Sequence, residues 1–363
     1  MNCYVCGLDI TALNETEEHV ILNSLGGRLK SKKLICRACN SQFGSAIDDR
    51  LSKQLSPIAT LINVKRHRGK PQNIVAQYKD REIIVEPGGK PKLARTHVEL
   101  DEKVYRIEAP SLRDARKALV SLKRNHPGID VDSELLSAVE SKEYLEKIKI
   151  SMEYGGIQTK QAICKAAINY YILQGGQPTY ISHLIPFVKG EIDSCVDSVK
   201  YYFPRRELFY KEENDIFHTL ILFSDIKNRL LHVYIELFNE FKFIVCLSNE
   251  YEGSEVYSAY HYNLVSNEIV EYEDKLIITP KDVRRYSYTD IEESFFSTRL
   301  KLLFQRITNI MTSRKIEEIS EQAMNNMLQK FPESEYEYFT KEMTDYLAKQ
   351  AANLYVDAFK NRF

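Results

Sequence analysis

Four cysteines in the first 39 residues are the plainest chemistry in this chain. Cys3-x2-Cys6 and Cys36-x2-Cys39 form two paired knuckles with 29 residues between them. Four soft thiolates at that spacing predict a tetrahedral structural Zn²⁺ site with no position open for catalysis. An iron-sulfur cluster fits the knuckle pair less well. The other three cysteines, Cys164, Cys195 and Cys246, lie among apolar neighbours and read as small buried hydrophobes. A disulfide network poorly suits a chain of 363 residues without a secretory leader pattern.

The residues between and after the knuckles narrow the reading. Glu17-Glu18-His19-Val20 precedes Leu25-Gly26-Gly27, and Cys39 leads through Asn40-Ser41-Gln42-Phe43-Gly44 to Ile47-Asp48. An acidic-His pair, a Gly-Gly turn and a Cys-Asn knuckle opening a helix resemble the zinc-stapled HNH endonuclease family over residues 3 to about 60. The resemblance implies a ββα-metal, treble-clef-like nuclease fold. It gives His19 the role of general base and Glu18 and Asn40 the roles of protein ligands to a catalytic Mg²⁺ or Mn²⁺. The chemistry is consistent. Phosphodiester hydrolysis needs a water made nucleophilic and a cation to neutralise charge on the phosphoryl oxygens. An imidazole suits the first task, and hard oxygen donors suit the second. Adjacent strand residues point to opposite faces, so Glu18 and His19 need a bend or bulge to serve one phosphate.

The chain departs from the family pattern at two places. Gly44 stands where some members carry a second metal-binding histidine, one helical turn after Asn40. Asp48 is the nearest acidic residue, but eight positions of helix carry it about 12 Å from Asn40. It is expected instead to cap, to pair with Arg50 or Arg37, or to fix the helix. The middle Asn of the motif has no clear equivalent: Ser31-Lys32-Lys33 precedes Ile35, and Asn23 lies close to His19.

Charge is uneven along the chain. Residues 1–79 hold twelve Lys or Arg against six Asp or Glu, although the whole chain has a formal charge of -1. Only this first segment invites a polyanion, and Arg28, Lys30, Lys32, Lys33 and Arg37 are the expected phosphate contacts. Lys65, Arg66, Arg68 and Lys70 in the irregular stretch 63–72 read equally well as phosphate contacts or as a solvated charge run. His67, His97, His126, His183, His218, His232 and His261 lack a neighbouring ligand pattern and read as surface or packed histidines.

The elements that must hold these residues read as an α+β chain. A small nuclease domain at 1–72 is followed by an α+β region or linker subdomain at 73–150 and an α+β recognition, sensing or assembly body at 151–363. Phe43, Ile47, Leu51, Leu55 and Ile58 recur at helical spacing over 41–62, with Pro57 expected to end or kink that helix. Strands are expected at 83–85 and 104–107, with Gly88-Gly89 as a turn, and helices at 111–124 and 133–147. Lys160–Tyr171 reads as an amphipathic helix. Helical stretches follow at 180–188 and 191–201, then antiparallel strands over 217–245, then long helices at 291–330 and 334–360.

No apolar run reaches the ~20 residues of a membrane span, so a cytoplasmic protein without a membrane partner is expected. DNA is the expected substrate. One HNH centre cuts one strand at a time, so a homodimer or higher assembly would serve double-strand cleavage. The body is a place for a nucleotide or protein activator, and the architecture suggests bacterial restriction or antiphage defence. The alternatives are a non-catalytic zinc-knuckle module binding nucleic acid or protein, and an RNA-directed nuclease.

Overall fold

The computed structural model describes residues 1–101, 104–140, 145, 147–273, 275–332 and 338–359. The chain is α+β. It opens on the Cys3–Cys6 turn, closed by the Gly7 N–H on the Cys3 carbonyl at 2.8 Å. Strand β1 (Glu18–His19) pairs antiparallel with β2 (Lys30–Ser31), setting His19 opposite Lys30. Between them the chain doubles back through Gly26-Gly27. A β-carbon on Gly27 would lie 1.8 Å from the Ile21 carbonyl oxygen, so this turn closes only around glycine.

The second knuckle starts helix α1 (Arg37–Phe43), which runs through a π turn at Gly44–Asp48 into α2 (Asp49–Ile62). A π turn changes the helix phase, and this one carries Asp48 beside the body of the protein. Pro57 was expected to end or kink the helix near its end, yet α2 continues to Ile62. Proline cannot donate to the Lys53 carbonyl. The Ser56 hydroxyl donates to that oxygen instead, at 3.1 Å. Residues 64–73 carry no helix or strand.

A three-stranded sheet, β3 (Ile74–Tyr78), β4 (Arg81–Glu86) and β5 (Lys90–Leu93), places Ile74, Ala76, Ile83 and Val85 in the same core as α2. A hairpin, β6 (His97–Asp101) and β7 (Val104–Glu108), precedes α3 (Leu112–Asn125) and the short α4 (Val131–Leu136). The helix expected over 133–147 is thus confined to α4, although 141–144 and 146 lie outside the described residues.

Helix α5 (Ile157–Leu173) is the hub. Every residue from Thr159 to Ile172 is buried. The amphipathic helix expected here is therefore wrapped on all sides, because α2 and the π turn before it cover the face that solvent would otherwise meet. After a short α6 (Ile185–Val188), a seven-stranded antiparallel sheet forms. Its strands are β8 (Val199–Tyr202), β9 (Phe217–Asp225), β10 (Leu230–Leu237), β11 (Phe241–Ser248), β12 (Tyr257–Asn263), β13 (Glu268–Ile269) and β14 (Ser287–Tyr288), in the order β13-β12-β9-β10-β11-β8-β14.

Alternate residues of β10 and β11, among them Val233, Ile235, Phe243 and Val245, join α5 and the N-terminal module in one continuous core. The helix expected at 191–201 is instead a 3₁₀ turn, Val196–Ser198, leading into β8. Pairing with β11 outweighs the local helical pattern there. Helix α7 (Pro280–Tyr286) precedes the long α8 (Glu293–Lys330), and α9 (Lys341–Phe359) folds back on α8. Arg314 of α8 donates to the Ile62 carbonyl at the end of α2. Among the described residues no helix is long and apolar enough to cross a membrane.

Candidate functional site

The four knuckle cysteines meet. Their sulfurs all lie within 4.8 Å of one another, and the Cys6 and Cys36 sulfurs are 3.8 Å apart. Tetrahedral Zn–S bonds of about 2.3 Å place neighbouring sulfurs about 3.8 Å apart, so the cage has the size of a zinc ion. The Cys39 backbone N–H brings the Cys36 thiol down to about 7, whereas burial pushes those of Cys3 and Cys39 up, so a cation in the cage would be needed to hold all four as thiolates. The sulfur cage anchors the start of α1 and so fixes where Asn40 lies relative to β1.

Strand β1 divides its two residues between opposite faces. His19 turns outward toward Lys30 and His67, whose ring centroid is 6.2 Å from that of His19. His19 Nε2 is sealed from solvent without a hydrogen bond, leaving Nδ1 as the nitrogen a water can reach. Burial, then the charges of Lys30 and His67, lower the His19 pKa to about 4. The ring is therefore a neutral acceptor at pH 7.

Glu18 turns inward and is 3% exposed. Its Oε1 receives the Lys165 ammonium at 2.6 Å and the Asn169 amide at 2.8 Å. The Tyr4 hydroxyl donates to the Asn169 Oδ1 at 2.7 Å, completing the chain of contacts. Lys165 also meets Asp48 Oδ2 at 2.6 Å. Burial opposes its charge, but the two carboxylates outweigh that effect and hold the ammonium. One cation between two buried carboxylates leaves a net negative charge. Burial pushes both Glu18 and Asp48 upward in pKa, and Lys165 pulls them back. Among the described residues Glu18 Oε2 takes no hydrogen bond. Asn40 uses its amide nitrogen, donating to Thr16 Oγ1 at 3.1 Å, and leaves Oδ1 without a partner there.

This zinc-sized cage, the open imidazole of His19 and Asn40 at the helix start all fall inside one family match. Residues 3–56 match the HNH endonuclease family. Neither a curated protein nor a solved structure matches the chain.

Only the first part of the chain is covered by the HNH match, yet its polar residues reach well beyond it. Asp48 was expected to cap, to pair with Arg50 or Arg37, or to fix the helix; it pairs with Lys165, which ties the helix to α5, while Arg50 pairs with Glu153 at 3.1 Å. The phase shift of the π turn and the depth of α5 account for the change. Lys165 and Asn169 escaped sequence reading because a lysine or an asparagine on a helix carries no mark of its distant partner. His218 is fully buried and bridges the body to the HNH segment, its Nε2 meeting the Leu25 carbonyl at 2.9 Å.

The expected phosphate contacts are dispersed. Arg28 Nε donates to Tyr262 Oη at 3.2 Å, which turns it toward β12. Lys32 pairs with Glu15 at 2.7 Å and Arg37 donates to the Glu15 carbonyl. Lys30 pairs with Glu17 at 3.0 Å beside His19, and Lys33 is exposed. Of the five, Lys30 is the one placed against the candidate base.

Proposed function

We propose that this protein is a metal-dependent DNA endonuclease whose HNH segment hydrolyses phosphodiester bonds. The observation that carries the reading is the placement of His19: inside the segment matched to the HNH family, its Nε2 sealed, and Lys30 opposite it on β2. In this reading a water beside Nδ1 gives its proton to the ring as its oxygen attacks phosphorus, the bond from phosphorus to the leaving sugar oxygen breaks, and that oxygen takes a proton from solvent. Lys30 offsets the charge on the phosphoryl oxygens. The HNH resemblance would give the Mg²⁺ or Mn²⁺ to Glu18 and Asn40, for which Glu18 would have to turn from Lys165 toward the His19 face of β1; when bound, the cation supplies a Lewis acid for the same charge. The unbalanced carboxylate charge around Lys165 favours a cation near Glu18. A small nuclease joined to a larger body suits a bacterial restriction or antiphage effector acting in the cytoplasm. The body would then bind an activator or a second copy of the chain.

The test is incubation of the purified chain with supercoiled plasmid, and separately with structured RNA, in Mg²⁺, Mn²⁺ or EDTA. The reading expects nicking of DNA with either metal and none in EDTA. Cutting of RNA alone would redirect the substrate. Absence of cutting under every metal, with zinc retained, would favour a zinc-knuckle binding module.

A further inference from the structure

We propose that the loop at residues 66–68, clamped against the HNH segment by Asn23, is a phosphate-binding arm. In it His67 and Arg68 contact the nucleic-acid backbone next to His19. The inference rests on the reading of His19 as the base, and it concerns residues beyond the span matched to the family.

Three observations carry it. The first is the clamp. Asn23 Oδ1 accepts the His67 backbone N–H at 2.7 Å, and Asn23 Nδ2 donates to the Arg68 carbonyl at 3.2 Å. A single side chain thus brackets two consecutive loop residues. Asn23 lies four residues after β1, at the start of the turn that Gly26-Gly27 closes, so the loop is referenced to the strand that carries His19. Arg66 adds a brace, donating to the Lys70 carbonyl at 3.1 Å. An otherwise irregular basic stretch is therefore held at one place.

The second observation is what the clamp delivers. The His67 ring stands 6.2 Å from the His19 ring, and Lys30 Nζ is 2.8 Å from His67 Nε2. Lys30 Nζ is also 3.5 Å from His67 Nδ1, so the ammonium sits against the ring edge that holds both nitrogens. A phosphate that approaches this edge meets the ammonium and the imidazole together. It is exposed, as is Arg68, whose side chain is 81% accessible. Both can reach a ligand without rearranging the core.

The third observation is charge. Glu17 pairs with Lys30 at 3.0 Å and with Arg68 at 3.6 Å. Two fixed cations share one carboxylate, which leaves one positive charge beside His19. A phosphodiester carries one negative charge. An arginine fork and an imidazole N–H are donors suited to non-bridging phosphate oxygens. His67 and Arg68 would touch substrate, whereas Asn23 is a positioning residue that acts through them.

Binding of a fluorescein-labelled DNA duplex by the full chain, measured in metal-free buffer across a salt series, tests the arm apart from cleavage. Arg68→Ala is expected to weaken binding about tenfold at low salt and to flatten the slope of log Kd against log salt by roughly 0.9, one phosphate contact. His67→Ala should weaken binding several-fold with a smaller change of slope. Asn23→Ala should do both in part and raise KM while leaving kcat within about twofold, as loss of uniform binding does. Asn23→Asp, which keeps the acceptor for the His67 N–H, should recover part of the affinity. Zinc content and circular dichroism report the fold of each variant. If Arg68→Ala and His67→Ala keep the wild-type Kd and slope, the arm is wrong even if the protein cuts DNA. If wild type never cuts but these variants lose binding as stated, the arm stands and the nuclease reading falls. A wild type that binds no duplex overturns the arm.

Discussion

Replacing Lys165 with methionine isolates the contact that joins the HNH segment to the body. The change keeps side-chain length and apolar packing, so little cavity opens. It removes both 2.6 Å ion pairs and leaves Glu18 and Asp48 without their shared cation. The Lys165 side chain is 2% exposed, that of Glu18 4% and that of Asp48 13%, so water reaches little of the cluster. Breaking a buried pair on one side costs roughly 3–5 kcal/mol, most of it from the stranded charge. Urea unfolding followed by circular dichroism and by tyrosine fluorescence measures this, since the chain has 23 tyrosines and no tryptophan. The stranded carboxyls should then be easier to protonate in the folded state than in the unfolded chain. The deficit of Lys165→Met is therefore expected to shrink as pH falls from 7 toward 5. Adding Glu18→Gln and Asp48→Asn to Lys165→Met should restore at least about half of the loss, because groups in one network are not additive. A loss below about 1 kcal/mol for Lys165→Met, or carboxamides that deepen it, would refute the reasoning.

Other consequences follow from single contacts. Zinc analysis should give one ion per chain, and Cys36→Ser or strong chelation should unfold the N-terminal module, seen as lost helical signal over α1 and α2. Gly27→Ala forces a β-carbon onto the Ile21 carbonyl and should cost on the order of 2 kcal/mol or more, read as a lowered urea midpoint. His232 is buried, stacks on Phe223, and has its pKa lowered to about 4 by burial. The unfolded chain takes up that proton first, so wild type loses stability as pH falls from about 6.5 to 4. His232→Phe should remove up to about 3 kcal/mol of that loss, and identical pH curves would contradict it. Gly44 has open space around an added β-carbon. Gly44→His should therefore fold and tighten Mn²⁺ binding in titration calorimetry, about tenfold for one added ligand.

The features legible in the sequence are those whose partners lie nearby in the chain. The cysteine knuckles, the Gly-Gly turn and the helix after Cys39 are local patterns, and the sulfur cage and the family match agree with them. The strands of β9, β10 and β11 were legible for the same reason, because apolar alternation and turns are local. What escaped was set by distant partners. Lys165 on a helix reads as a solvated charge until α5 is seen to be wrapped by the HNH segment. His67 has no ligand spacing in its own loop; it meets His19 because Asn23, far back in the chain, holds its backbone. The strand β8 has a sequence that suits a helix, and pairing with β11 decides otherwise. Glu18 and His19 illustrate both cases. Their types mark the motif, but only the position of α5 explains why one faces Lys165 and the other solvent.

The measurement that bears most directly on the central claim is plasmid nicking by wild type and by His19→Ala at matched zinc content in Mg²⁺ or Mn²⁺. The account predicts metal-dependent nicking by wild type and a fall of about 10²–10⁴-fold in His19→Ala, the range for loss of a general base. Nicking by His19→Ala at the wild-type rate would contradict it.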